Sequence, residues 1–218
     1  MINRQPRWAR CLIIGHSDDI PAKPPVVDGH TLIIAADAGY LLAQKWGLVP
    51  HWLLGDFDSL DPHAVGDFPP EQIIRHPVEK DKTDLELAVD YALTFGVGEI
   101  IMTGVWGGRV DHSLGNIELM YKLAGKNIEA RILTGSAELH LVNQSLKLDL
   151  PVDTVVSLLP LSAEVSGVTT RGLYYPLRDA VIKKGSTWTI SNKAAARSIE
   201  IKCGTGVLLV VVIQKDPR

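Results

Sequence analysis

"EIIMTGVWGGRVDHSLGNIELMYKL", residues 99–123, changes period part-way along. Its opening run, "EIIMTG" (99–104), is apolar without alternation, as a strand covered on both faces must be. Beyond Gly107 and Gly108, residues Leu114, Ile117, Met120, Tyr121 and Leu123 recur at the spacing of a helix. Strand followed by helix is the repeating unit of an α/β sheet. The same texture appears in "CLIIG" (11–15), "TLIIAAD" (31–37), "HWLLGD" (51–56), "QIIRH" (72–76) and "ARILTG" (130–135). A second helix follows "DKTD": Leu85, Ala88, Val89, Ala92 and Leu93 share one face, and Thr83 with Glu86 has the spacing of a capping box. Residues 1–138 therefore read as a three-layer α/β domain with a largely parallel sheet.

After about residue 137 the helical period disappears. "ELHLVN", "DTVVSLLPL", "STWTIS", "RSIEIK" and "GVLLVVVI" are short β-prone runs set between Gly, Pro, Ser and Asn. That pattern predicts an all-β sandwich over 139–218, with a linker near 135–145.

Composition narrows the function. The chain has 218 residues, is 46% hydrophobic and carries a formal charge of -3, with no Lys/Arg-rich run. Such a chain buries a sizeable core and offers no field for nucleic acid, so a small substrate is expected. Cys11 and Cys203 match no metal-binding or disulfide spacing, which suits a reducing cytoplasm. The apolar run behind Arg4, Arg7 and Arg10 is too short for a signal-peptide core, and "VLLVVVI" (207–213) is far short of the ~20 residues that span a bilayer. Neither export nor membrane insertion is expected.

The chemistry concentrates where strands end. "LLGDFDSLDP" (53–62) carries Asp56, Asp58 and Asp61, with almost nothing basic nearby in sequence to neutralise them. In an extended segment residues i and i+2 project to one side, so Asp56 and Asp58 can converge. Hard carboxylate oxygens suit Mg²⁺, which takes one or two of them and leaves its other positions to water and phosphates. A solvated acidic turn would look the same in isolation. A calcium loop would not, because Asp61 stands where an EF-hand needs glycine.

Three further junctions share this character. "EKDKTD" (79–84) sets Asp81 and Asp84 beside Lys80 and Lys82 at a helix start, where free N–H groups receive phosphate oxygens. "GGRVDHSLGN" (107–116) puts two glycines before Arg109 and Asp111; the guanidinium matches phosphate geometry, or the two side chains pair with each other. "AADAGY" (35–40) ends a strand on Asp37 and Gly39. Ligands bind at the carboxyl ends of strands in open α/β sheets, and four such junctions here carry an acid, a glycine or both. No GxxxxGK[ST], GxGxxG or HExxH occurs, and Asp111, His112 and Ser113 are neighbours that point apart, so they form no hydrolytic triad.

"AADAGY", "GDFDS", "DKTDLELA" and "GGRVDHSLGNIEL", in this order, resemble the motif series of the thiamine pyrophosphokinases, and "RGLYYPL" (171–177) with "TISN" (189–192) is similar to that family's C-terminal signature. The resemblance implies a homodimer that transfers diphosphate from ATP to the thiamine hydroxyl and releases AMP, with an active site shared between the α/β domain of one subunit and the sandwich of the other. By motif position it implies Mg²⁺ on Asp56, Asp58 and Asp84. Asp37, Gly39, Lys82, Thr83 and Arg109 would face ATP, and Lys82, Arg109 and Asp111 would serve catalysis, Asp111 near thiamine. Tyr175 would stack on the thiamine ring, with Ser191 and Asn192 on its pyrimidine. Two other readings are a related pyrophosphokinase acting on a pterin alcohol, and a sensor that binds thiamine or nucleotide without turnover.

Overall fold

The structure, a computed structural model, describes residues 7–57, 65 and 68–214. The chain divides into two compact units: Met1–Leu119 with Ile132–Gly135, and Met120–Arg131 with Ser136–Arg218.

In the first unit the apolar runs become strands. β1 (Arg10–Ile14) and β2 (Thr31–Ala36) are followed by helix α1 (Gly39–Lys45), then β3 (Trp52–Gly55) and β4 (Ile73–Arg75). Next come α2 (Asp84–Leu93), β5 (Glu99–Thr103) and α3 (Val110–Ala124). The strands pair in parallel in the order β5-β1-β2-β3-β4, with Leu12 opposite both Ile33 and Ile101, and Ala35 opposite Leu53. Leu12, Ile13 and Ile14 have no exposed surface, which the absence of alternation in "CLIIG" requires. Each such side chain contributes about 1.5–3 kcal/mol of burial. Leu12, Ile14, Ile33 and Ile101 pack on Leu42 and Ala43 of α1.

α2 starts where its cap dictates. Thr83 is extended, and its hydroxyl accepts a hydrogen bond from Glu86 N at 3.1 Å. Leu85, Ala88, Val89 and Ala92 are buried. In α3, Ile117, Met120 and Leu123 are buried, but Leu114 and Tyr121 are exposed. The inward stripe runs instead through Ser113, Asn116, Ile117 and Met120, a strict three-four spacing that includes two polar residues.

The chain steps outward from β1 through β2, β3 and β4, then returns to place β5 on the other side of β1. The carboxyl ends of β1 and β5 therefore form the switch point of the parallel sheet, the place where such sheets take ligands.

β6 (Glu129–Leu133) is followed, in the second unit, by β7 (Ala137–Val142), β8 (Ser145–Asp149), β9 (Val155–Pro160) and β10 (Glu164–Arg171). β11 (Ala180–Lys183), β12 (Asn192–Lys193), β13 (Ser198–Lys202) and β14 (Leu208–Ile213) complete it. β12-β9-β14-β7 and β11-β10-β13-β8 are two antiparallel arrays. Val156, Leu158 and Val210 of one meet Val165, Val168, Ile199 and Ile201 of the other, forming a β-rich core.

Two expectations change here. Most of the expected linker is strand β7, paired along its length with β14. "STWTIS" is a turn, closed by Ile190 N donating to Thr187 O, because Trp188 and Ile190 face outward and leave no apolar face to bury.

Candidate active site

A cleft of about 470 Å³ opens at the switch point. Gly15 to Asp18 line it after β1, Ala36 to Ala38 after β2, and Thr83 to Leu85 at the start of α2; Gly104, Val105, Gly107 to Arg109, His112 and Asn116 line it after β5. The β1 and β5 ends come together only because both carry glycine. A Cβ on Gly104 would stand 2.4 Å from Gly15 O, and one on Gly15 would stand 2.7 Å from Gly104 O.

Three acids from three junctions meet at one side. Asp37 sits at φ 46 directly after β2, its N donating to Leu54 O at 2.8 Å and its Oδ1 accepting from Phe57 N at 3.3 Å. Burial, then the charges of Asp84 and Asp56, push the Asp37 carboxyl up to about 7. Asp56 and Asp84 are joined through Lys80, whose Nζ donates to Asp56 Oδ2 at 3.0 Å and lies 2.7 Å from Asp84 Oδ1. The second contact is an ion pair that lacks a hydrogen bond's angle. Lys80 corrects the expectation of unneutralised acids: the neutralising cation lies far along the sequence but adjacent in space. Asp58 lies outside the described residues.

The fit of this set to a metal rests on its donors. Among the described residues no three His, Cys, Asp or Glu side chains stand in metal-ligating arrangement. Asp56 and Asp84 nonetheless offer hard oxygens around one cation, and Mg²⁺ asks for one or two carboxylates, so the residues fit.

Of the other predicted residues, Thr83 and Arg109 line the cleft. Gly39 does not; its place is set by packing, since a Cβ there would stand 2.0 Å from Ile14 O. Lys82 also lies outside the lining, its ammonium 2.7 Å from Asp90 Oδ2. Arg109 and Asp111 form a two-point pair, Nε to Oδ1 at 3.1 Å and Nη2 to Oδ2 at 2.5 Å, both side chains exposed. The Arg109 hydrogen bond holds the Asp111 carboxyl down at about 2.

Several residues of the cleft escape a reading by motif. Ser113 Oγ accepts from Gly107 N at 3.1 Å and donates to Arg109 O, while Asn116 Nδ2 donates to Val105 O at 2.6 Å. These two fix the glycine loop, in which Gly107 and Gly108 hold φ of 93 and 66. Their spacing of three on the inward face of α3 was the available signal. Ser17 Oγ is buried beside the cleft and, among the described residues, has no hydrogen-bond partner.

In the second unit Tyr174 and Tyr175 meet edge to face, ring centroids 4.8 Å apart. Both rings are exposed, because a single bridge, Leu173 to Ala194, stands there in place of a strand. Ser191 takes φ 60 and its N donates to Ser157 Oγ at 3.0 Å. Asn192 is buried, its amide committed to the backbone of Tyr175 and Lys193.

These features define a class: an α/β protein with an acidic ligand cleft at its sheet's switch point, carrying a β-rich second unit in the same chain. Residues 24–132 match the model of the thiamin pyrophosphokinase catalytic domain, and residues 140–208 match that of the thiamin pyrophosphokinase vitamin B1 binding domain. The chain belongs to the thiamin pyrophosphokinase family. It is 32% identical to thiamine pyrophosphokinase of Bacillus subtilis (strain 168) over 203 residues, 90% of this chain and 94% of that one. The crystal structure of thiamine pyrophosphokinase from Bacillus subtilis superposes with a TM-score of 0.86 at 29% identity, covering 95% of this chain and 99% of the other. That of thiamin pyrophosphokinase from Geobacillus thermodenitrificans gives 0.83 at 28%, with coverage of 95% and 99%. The match to the vitamin B1 binding domain disfavours the pterin-alcohol reading, and the match to the catalytic domain disfavours the sensor reading.

Proposed function

We propose that this chain transfers diphosphate from ATP to the hydroxyl of thiamine, giving thiamine diphosphate and AMP. The observation that carries the reading is the match to both thiamin pyrophosphokinase domains in a chain whose acids gather at the switch-point cleft.

Transfer of this kind asks a protein for positioning and charge neutralisation more than for covalent chemistry. The thiamine oxygen attacks the β-phosphorus of ATP, the bond from that phosphorus to the α-phosphate bridging oxygen breaks, and the hydroxyl proton passes to a carboxylate. ATP enters the cleft, where Asp37 faces it and the Thr83 end of α2 presents N–H groups to its phosphates, with the Gly107–Gly108 backbone allowing their close approach. Gly39, beside them, keeps α1 close to β1. Arg109 supplies planar donors to the developing charge, and Lys82 does so after giving up Asp90. Asp111 orients or deprotonates the hydroxyl.

Asp56, Asp58 and Asp84 would hold Mg²⁺, which when bound polarises and neutralises phosphate oxygens. Tyr175 offers an exposed ring to the cationic thiamine ring, with Ser191 and Asn192 at the pyrimidine end. The working form is a homodimer, to be tested by sedimentation equilibrium. Two buried free cysteines support a reducing, cytoplasmic setting, and among the described residues no helix is long and apolar enough to cross a membrane. No basic stretch supports nucleic-acid binding.

Phosphorus NMR of protein with thiamine, ATP and Mg²⁺ tests the reaction. Thiamine diphosphate and AMP should appear in equal amounts; ADP with thiamine monophosphate would overturn diphosphate transfer.

A further inference from the structure

Asp37, Asp56 and Asp84 come from three separate junctions of the parallel sheet and meet at one side of the cleft. Like charges at this range repel, and partial burial strengthens the repulsion. Lys80 answers it. Its ammonium lies between Asp56 and Asp84, at 3.0 and 2.7 Å, and the three side chains are only 14%, 13% and 21% exposed. A long lysine held this far from water gives up rotamer freedom and hydration, and holds its place only against two charged partners. Lys80 is thus a fixed cation.

The geometry points to Lys80 as a positioning residue: a built-in counter-ion that clamps Asp56 and Asp84 together in the metal-free protein and surrenders at least one of them when a divalent cation enters. The inference rests on the metal reading of this site. It extends that reading to a chain residue that competes with the metal for the same two oxygens. Competition has a use: the carboxylates stay in register between turnovers, and the metal that arrives with ATP can leave with the products.

The consequence is separable from catalysis. With nucleotide absent, Mn²⁺ binding followed by electron paramagnetic resonance, and melting in chelator with and without Mg²⁺, are compared for wild type, K80R and K80M. K80M should melt lower in chelator, by roughly 4 °C or more, because a nearly buried pair has lost one partner. It should bind Mn²⁺ on the order of tenfold tighter, since the competing charge is gone. Mg²⁺ should raise its melting temperature more than that of wild type. K80R, which keeps the charge, should stay near wild type in chelator.

Should K80M fail to fold, the wild type still decides. The Lys80 ε-methylene NMR signal, assigned by its loss in K80R, should move when Mg²⁺ is added. Unchanged melting and Mn²⁺ affinity in K80M, or a Lys80 signal indifferent to Mg²⁺ that binds, would overturn the clamp. Absence of Mn²⁺ binding in every protein would instead overturn the metal reading and the exchange with it, while a lower K80M melt would leave the counter-ion standing.

Discussion

The Asn192 side-chain amide closes on the backbone of Tyr175: its Oδ1 accepts from Tyr175 N at 3.0 Å and its Nδ2 donates to Tyr175 O at 2.8 Å. The same Oδ1 accepts from Lys193 N at 2.8 Å. Tyr175 lies outside any strand, so this clasp does the work a sheet ladder would otherwise do for an exposed ring. Asn192→Ala leaves two N–H groups and a carbonyl without their partner, at a cost of roughly 1–3 kcal/mol. The expected result is a lower melting temperature and a thiamine KM about tenfold higher, with kcat changed less, because a displaced ring loses ground-state and transition-state contacts alike. A kcat that falls with KM unaltered would show that the clasp does not serve thiamine binding.

Gly55 makes room for Asp37. A Cβ on Gly55, where φ is 154, would stand 1.7 Å from Asp37 Oδ1. Gly55→Ala must expel the carboxylate from its hydrogen bond to Phe57 N or bend β3 at its end. Strain of this kind costs about 1–3 kcal/mol. Because the displaced group faces the cleft, kcat/KM should fall by roughly a hundredfold, well beyond what the stability loss accounts for. Circular dichroism with steady-state kinetics checks this: a native spectrum with normal kcat/KM would remove Asp37 from the working site.

How much of this was legible differs by element. The parallel strands were readable because burial on both faces leaves unbroken apolar runs such as "CLIIG", and the start of α2 because Thr83 and Glu86 sit at capping distance. β8 was missed although "SLKLD" alternates, because the run is short and its two apolar residues, Leu146 and Leu148, are only half-buried. "STWTIS" misled for the opposite reason, its β-prone side chains being exposed in a turn. In the cleft region Asp37 and Asp56 were placed by their positions just after β2 and β3, and Thr83 by its capping spacing. Lys80 did not, since its partner Asp56 is 24 residues away and its role exists only in three dimensions. Ser113 and Asn116 were hidden by type, polar residues that hold a loop rather than touch a ligand.

Asp111 and Arg109 hold each other through two hydrogen bonds. The Asp111 carboxyl is held near 2 by Arg109, which keeps it charged but weakens it as a proton acceptor. If Arg109 turns to phosphate when ATP binds, Asp111 is released and its basicity rises. Asp111→Asn should then lower kcat about a hundredfold. Turnover near wild type would exclude Asp111 as the base and shift that duty to a carboxylate that lines the cleft, such as Asp37.

Acid sensitivity should arise in part from the second unit. Glu138 lies with its Oε2 3.1 Å from His140 Nε2, and its Oε1 accepts from Gln214 Nε2 at 2.8 Å. The hydrogen bond from His140, against the opposing effect of burial and with the charges of His140 and Arg131 assisting, lowers its carboxyl below the ordinary 4.5. A depressed carboxylate binds its proton less readily folded than unfolded, so its stabilisation is fully present above pH 4.5 and disappears as pH falls through the folded value. Glu138→Gln removes the titrating group while keeping the shape. The variant should be less stable than wild type at neutral pH, by about 1 kcal/mol for the lost charge-assisted bond. As pH falls through the depressed folded value the two should converge, since the wild type then carries an uncharged Glu138 as well. Urea unfolding at several pH values from acid to neutral reads this directly, and parallel stability curves that never converge would show that Glu138 contributes nothing to the acid limb.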